Sequence, residues 1–337
     1  MGKVRVKIIL LILCAIILAG AAFLPTPYLL VKPGEAENLN QMVTIKNSYL
    51  EENSSRESSF YLVTVKKQQA NLLWLLYGAI NPGVEIRLHD DTIPPHLDEE
   101  EYQEMLQKWM EESQLMAKVI ALQEAGYEVE ITGKGVQVYD FLEESPAQDL
   151  LEVGDVIKKV DGKEVNVVDE VISLVQSRNI GDEVELTVER NGNIKEVISD
   201  TVPHDDDPDE AALGILISAL EWEADLPLSI EIDAGPIGGP SAGMMFVLEL
   251  LDQLSEGKSL GGSHSIAGTG TINLNQEIGS IGGVPQKVQA AERSGVDFFL
   301  VPQNNYLEAQ NAADKIEVVP VETFQDVDDF LKDLAEH

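Results

Sequence analysis

An uncharged apolar run from Ile8 to Leu24 constrains this chain more than any other feature. Lys3, Arg5 and Lys7 precede it, and Pro25 and Pro27 close it. The run is about long enough for a short membrane-spanning helix, and prolines end a helix there. Basic residues ahead of such a run place the N-terminus in the cytoplasm and the remaining chain outside. Ala19-Gly20-Ala21-Ala22 also offers the small residues of a cleavable signal peptide. Tyr28-Leu29-Leu30-Val31 carries the hydrophobicity onward, which favours an uncleaved anchor. On either reading the bulk of the chain is exported. It folds without an intramolecular disulfide, because Cys14 is the one cysteine and sits inside the run. Leu13 stands where a lipoprotein signal wants a small residue, so Cys14 reads as a lipid-facing apolar side chain.

The charge balance excludes a partner class. The 337 residues carry 23 basic and 59 acidic side chains, a formal net charge of -36. Phosphate binding needs basic patches, so nucleic acid is not an expected partner. The acidic stretch His204-Asp205-Asp206-Asp207-Pro208-Asp209-Glu210 lacks the glycine and terminal glutamate of an EF-hand loop and reads as a solvated linker. No metal site and no cofactor are expected.

Residues 60–66 cluster aromatic and β-branched side chains and read as a strand. Residues 71–80 are apolar and read as a short helix or a loop near the membrane. Asp98 is a candidate N-cap with Glu101 at the capping-box position. Tyr102, Met105, Leu106, Trp109, Met116, Val119 and Ile120 then recur at helical spacing up to Gly126, the pattern of a core-facing stripe. From about 127 to 202 the texture changes to short strands and turns. Gly135-Val136-Gln137-Val138-Tyr139 is a strand, Ser145-Pro146-Ala147 opens a turn and short helix, and Asp161-Gly162 is a tight turn. Val168 to Gln176 is a helix, and Glu183 to Arg190 a strand before the Asn191-Gly192 turn. Pro-Ala followed by Gly-Asp-x-Ile and Asp-Gly resembles a PDZ domain. Such domains bind peptides by adding a strand to an exposed sheet edge. The resemblance implies that Val136 to Tyr139 is that strand, with Gly135, Val136 and Val138 as peptide-binding residues. Gly133-Lys134-Gly135 then sits where the family's carboxylate-binding loop lies, in a form that departs from the usual Gly-Leu-Gly-Phe.

The chemistry concentrates downstream. Leu228 to Asp233 alternates as a strand, Gly235-Pro236-Ile237-Gly238-Gly239-Pro240-Ser241-Ala242-Gly243 follows, and an apolar helix runs from Met244 to Leu254. Ser241 thus sits at a glycine-rich strand-to-helix connection. A helix N-terminus supplies unpaired N–H groups and positive dipole there, the needs of an oxyanion site. Pro240 has no N–H, so the candidate donors are those of Ser241 and Gly239. A serine nucleophile needs a base. Among five histidines (His89, His96, His204, His264 and His337) none has a catalytic setting. Lys287 lies on the first turn of a helix among Val284, Val288 and Ala291, where an apolar environment disfavours its charged form. By position alone, a lysine there reads first as a snorkelling surface residue.

Gly239-Pro240-Ser241-Ala242-Gly243, Ala267-Gly268-Thr269-Gly270-Thr271-Ile272 and Ile281-Gly282-Gly283 followed by Lys287 resemble, in this order, the motifs of the Lon peptidase domain over residues 205–335. The resemblance implies a Ser–Lys dyad, with Ser241 the nucleophile, Lys287 the base and Thr269 the hydroxyl that positions the amine. It also implies a homo-oligomeric ring. Lon proteases carry an ATPase module. Gly257-Lys258-Ser259 looks like the end of a Walker A loop, but Asp252 stands where the motif needs a glycine. Anchor, PDZ and peptidase together resemble the exported Lon-like proteases of Gram-positive bacteria. The implied activity is ATP-independent serine endopeptidase cleavage of peptides or unfolded segments outside the membrane, by a single-pass protein of the cell membrane.

The expected fold is α+β. Residues 1–32 form the basic end and transmembrane helix, and 33–126 a strand and amphipathic helix that belong to the peptidase half if the PDZ is inserted in it. Residues 127–203 form a β-rich PDZ domain with two helices, and 204–337 a proteolytic domain of mixed sheet and helices. Two other readings stand beside this one. Gly239-x-Ser241-x-Gly243 also fits the nucleophile elbow of an α/β-hydrolase esterase, although only His264 and His337 follow it. The chain also reads as a PDZ scaffold or chaperone on an inactive peptidase fold.

Overall fold

The computed structural model describes residues 20, 24–46, 60–81, 83–89, 99–142, 145–203, 211–255 and 259–336. Most of the run Ile8 to Leu24, with Cys14, lies outside them, as do Asp98, the acidic link 204–210 and Gly257-Lys258. Among the described residues no helix is long and apolar enough to cross a membrane.

The chain first forms β1 (Pro25–Asn38), β2 (Val43–Lys46), β3 (Phe60–Asn71), α1 (Leu72–Ile80), β4 (Glu85–Leu88) and α2 (Glu99–Glu124). Then come β5 (Val136–Phe141), β6 (Val156–Val160), α3 (Val168–Gln176), β7 (Glu183–Arg190), β8 (Asn193–Asp200) and β9 (Ile215–Ala219). The final part holds β10 (Ser229–Ile232), α4 (Gly243–Leu254), β11 (Ile266–Gly268), α5 (Val284–Ser294), β12 (Phe298–Pro302), α6 (Tyr306–Ala312), β13 (Glu317–Val321) and α7 (Phe324–Glu336). The fold is α+β. Two compact units result: residues 1–121, 228–272 and 276–337, and residues 122–227 with 273–275.

The first unit is built on a mixed six-stranded sheet in the order β13-β12-β11-β3-β1-β4. β3, β11, β12 and β13 run parallel, and β1 is antiparallel to both β3 and β4. Parallel strands are covered on both faces and read as continuous apolar runs. Phe298-Phe299-Leu300-Val301 is such a run, with Phe299, Leu300 and Val301 fully buried. α5 lays Val284, Val288 and Ala291 against Phe299 and Val301. α4 is buried along nearly its whole length, including the polar Glu249, Asp252 and Gln253. A helix apolar on nearly every side belongs in the interior, so the residues just before it are held rigidly. The strand expected over 60–66 runs on to Asn71, whose side chain then caps α1 by accepting from the Trp74 N–H at 2.9 Å.

The second unit contains an antiparallel sheet in the order β8-β7-β6-β5-β9. Its core joins Val136 and Val138 of β5, Ile157 and Val160 of β6 and Val184, Leu186 and Val188 of β7 to Val171 and Val175 of α3. Pro146–Asp149 forms the short second helix, capped by the Ser145 hydroxyl. The Asp161-Gly162 and Asn191-Gly192 pairs both have positive φ at each position, the geometry that tight hairpins demand. Asp155, 1% exposed, is held by Arg190, with Nε to Oδ1 at 2.6 Å and Nη2 to Oδ2 at 2.5 Å.

The peptide-binding strand expected at Val136 to Tyr139 needs correcting. β5 has no free edge, because it pairs with β6 on one side (Val136↔Ile157) and with β9 on the other (Val136↔Ala219). Val136 and Val138 point into the core, and the Gly135 carbonyl already accepts the Leu220 N–H at 2.9 Å. Gly135, Val136 and Val138 therefore cannot receive a guest strand. The covering strand, β9, lies beyond residue 203, where the sequence pattern placed the end of this domain.

Candidate active site

Ser241 ends the loop between β10 and α4. The loop is tied down by α2. The Gly239 N–H donates to the Leu106 carbonyl at 2.8 Å, the Ser113 hydroxyl donates to the Pro240 carbonyl at 3.0 Å, and the Gln107 amide donates to the Pro236 carbonyl at 3.3 Å. Gly239 has φ +94, a conformation that favours glycine. Gly243 is required by proximity, since a Cβ there would stand 2.8 Å from Ser113 Oγ and 3.2 Å from Ile272 Cγ2. The Gly239 N–H, expected among the oxyanion donors, is instead occupied by Leu106. The N–H groups of Ser241 and Ala242, at the start of α4, have no acceptor among the described residues. They are the donors open to an oxyanion.

Thr269 follows β11 directly. Its N–H donates to the Leu300 carbonyl at 3.0 Å, so the parallel pairing of β11 with β12 fixes its place. Its hydroxyl donates to the Ser241 carbonyl at 3.0 Å, which also accepts the Gly270 N–H at 2.8 Å. Lys287 arrives from the first turn of α5, after Gly283 in the left-handed conformation (φ 72). The structure brings the three side chains together: Lys287 Nζ stands 2.8 Å from Ser241 Oγ and 2.9 Å from Thr269 Oγ1. The Thr269 proton is committed to a carbonyl, so its oxygen is the acceptor for one N–H of the amine. A neutral amine held this way turns its lone pair toward the serine hydroxyl.

Lys287 is 4% exposed. Burial, with a smaller contribution from the positive charge of Lys67, lowers its pKa from 10.5 to about 7. Near neutrality about half the molecules then carry the free amine. His264, the histidine that a hydrolase elbow would use, stands with its ring edge-on to Phe298 and Nδ1 3.9 Å from Asp297. Lys67 and the α2 clamp were not found by sequence reasoning. One signal for the clamp existed: Ser113 occupies a position of the Tyr102–Trp109–Met116 stripe where an apolar residue is expected.

The second unit offers a groove of about 220 Å³ between α3 and β9, lined by Val171, Ile172 and Val175 on one side and Leu213, Ile215 and Ile217 on the other. β9 is the edge strand of its sheet. Gly214, with φ +65, precedes it, and a Cβ there would meet the Ser145 side chain at 3.0 Å.

Residues 118–199 match the PDZ domain family, and residues 220–335 match the Lon protease (S16) C-terminal proteolytic domain. The chain combines a PDZ domain with a Lon-type proteolytic domain. Similar curated proteins include the Lon protease of Mesomycoplasma hyopneumoniae (strain 232), 35% identical over 100 residues, covering 28% of this chain and 11% of the relative. Lon protease 2 of Bacillus subtilis (strain 168) is 34% identical over 119 residues, covering 35% and 21%. The chain thus spans about a tenth to a fifth of the length of these Lon relatives. Among solved structures, the PDZ domain of an SdrC-like protein from Listeria monocytogenes matches at 24% identity and TM-score 0.24, covering 26% of this chain and 92% of that one. Its counterpart from Listeria innocua matches at 26% identity and TM-score 0.23, covering 25% and 93%. Ser241, Thr269 and Lys287 all lie within the Lon-type match.

Proposed function

We propose that this chain is a membrane-anchored serine endopeptidase that cleaves peptides or unfolded protein segments on the extracytoplasmic side without ATP. The observation that carries this reading is the 2.8 Å approach of Ser241 Oγ to a lysine amine whose pKa lies near 7. In the proposed cycle the neutral Lys287 amine takes the hydroxyl proton as Ser241 Oγ attacks the scissile carbonyl carbon. The oxyanion that forms is met by the Ser241 and Ala242 N–H groups. Collapse breaks the C–N bond, Lys287 returns the proton to the leaving amine, and an acyl-serine remains. Water, deprotonated by the same amine, then releases the acid and restores the hydroxyl. Thr269 orients Nζ throughout.

The anchoring part of the reading rests on the run Ile8 to Leu24 and its basic flank, and independence of ATP rests on the incomplete Walker A loop. The groove between α3 and β9 is the peptide site this reading favours in the PDZ domain. It has an open strand edge for main-chain pairing and apolar side chains facing it. A homo-oligomer is also part of the reading, checked by mass photometry. The testing experiment incubates the full chain with an unfolded protein and no nucleotide. Fragments are expected from the wild type and none from Ser241→Ala. Equal cleavage by both would assign the activity elsewhere and leave the scaffold reading in its place.

A further inference from the structure

The first unit carries an apolar patch that the proposed catalysis does not use. α1, Leu-Leu-Trp-Leu-Leu-Tyr-Gly-Ala-Ile, has no charged side chain. It packs against β4 through Gly78, where a Cβ would meet Ile86 at 3.0 Å. Leu72, Leu73, Leu76 (63%), Tyr77 and Ile80 (82%) remain exposed, and Leu88 and Leu24 are exposed beside them. A helix this apolar on all sides is expected inside a protein or in lipid, and a contiguous exposed patch marks an interaction surface.

Its place in the fold says what covers it. Pro25, the first residue after the apolar run, is paired with Asn71, the cap of α1. Paired strands lie about 4.8 Å apart, so the run joins the first unit beside the start of α1. Lys32 borders the helix, its Nζ 4.6 Å from the centre of the Trp74 ring. Tryptophan and tyrosine on an apolar helix, with a lysine over the tryptophan ring, are side chains that settle at a membrane–water interface.

We propose that α1 lies in the membrane interface with its leucines among the acyl chains, a second lipid contact beside the anchor. This rests on the anchored reading above. The test uses the full chain with Trp109→Phe and Trp222→Phe, leaving Trp74 alone, reconstituted into vesicles of phosphatidylcholine and phosphatidylglycerol. Lipids brominated on their acyl chains are expected to quench about half or more of the Trp74 emission, and acrylamide much less. A companion carrying only Trp109 should show the reverse. Adding Leu73→Ser and Leu76→Ser should expose Trp74 to acrylamide while the chain stays with the vesicles. Trp74 open to acrylamide and untouched by bromolipid in vesicle-bound chain overturns the proposal and leaves the anchor standing. Protection from both quenchers overturns it in favour of a protein partner, a second copy or the run folded back. A chain that does not stay with vesicles overturns both the anchor and the proposal.

Discussion

Replacing Lys287 by methionine should abolish cleavage and yet stabilise the first unit at acid pH. Lys287 is buried, and its pKa falls from 10.5 to about 7. At 1.36 kcal/mol per pKa unit, the charged amine in this site costs about 5 kcal/mol relative to the unfolded chain. The folded chain binds the proton less tightly than the unfolded one. The penalty is therefore complete below pH 7, shrinks as pH rises from 7 to 10.5, and is absent above. Methionine fills the volume without a charge, but it gives up the contacts of Nζ with Ser241 and Thr269, each a net contribution of about 1 kcal/mol. The expected balance is a gain of about 3 kcal/mol near pH 6 that turns into a loss of about 2 kcal/mol above pH 10. For a unit of this size the acid gain corresponds to a rise in Tm of roughly 6–12 °C. Thermal unfolding of the full chain in detergent reads this. A Trp222→Phe background leaves Trp74 and Trp109, both in the first unit, as reporters. A methionine variant that is less stable at pH 6, or an offset that does not vary with pH, would rule out a buried, destabilising ammonium. Either result would mean that the lysine is held as an ammonium.

Other consequences follow from the same geometry. The kcat/KM for an unfolded substrate should rise through about pH 7 to a plateau, because the proposed cycle uses the neutral amine as its base. Lys67→Gln should move that limb upward by less than about one pH unit, since it removes a repulsive charge, and pH–rate profiles of both proteins check it. Thr269→Val should lower kcat by roughly 10–100-fold with KM little changed, and Thr269→Ser should restore most of it. In the PDZ domain, Arg190→Ala leaves Asp155 buried without its cation and should destabilise that unit by about 3 kcal/mol, measured by urea unfolding.

Local signals carried much of the fold. The Phe60 strand, the α2 stripe ending at Gly126, and the Asp161-Gly162 and Asn191-Gly192 turns are set by neighbouring residues, and all appear in the structure. What depended on distant pairing was less legible. β9 lies 74 residues or more from β5, and nothing local in Val136–Phe141 shows that a later strand covers its edge. The peptide-site residues were misplaced for that reason. The Gly239 donor failed in the same way, because its acceptor, the Leu106 carbonyl, sits on a helix more than a hundred residues upstream. Ser241, Thr269 and Lys287 could be singled out together only through the resemblance of their three motifs, in order, to the Lon peptidase domain, since Lys287 by position alone passes as a surface residue. The hydrogen bonds that unite them required coordinates.

The pH profile of cleavage by Lys287→Ala, beside the wild type and Ser241→Ala on one unfolded substrate, tests whether Lys287 takes the serine proton. The wild type should show a limb near pH 7, and neither variant should cleave above background at any pH. A Lys287→Ala enzyme that keeps the wild-type rate and limb, while Ser241→Ala is dead, would contradict that role for Lys287. It would show that another group takes the serine proton.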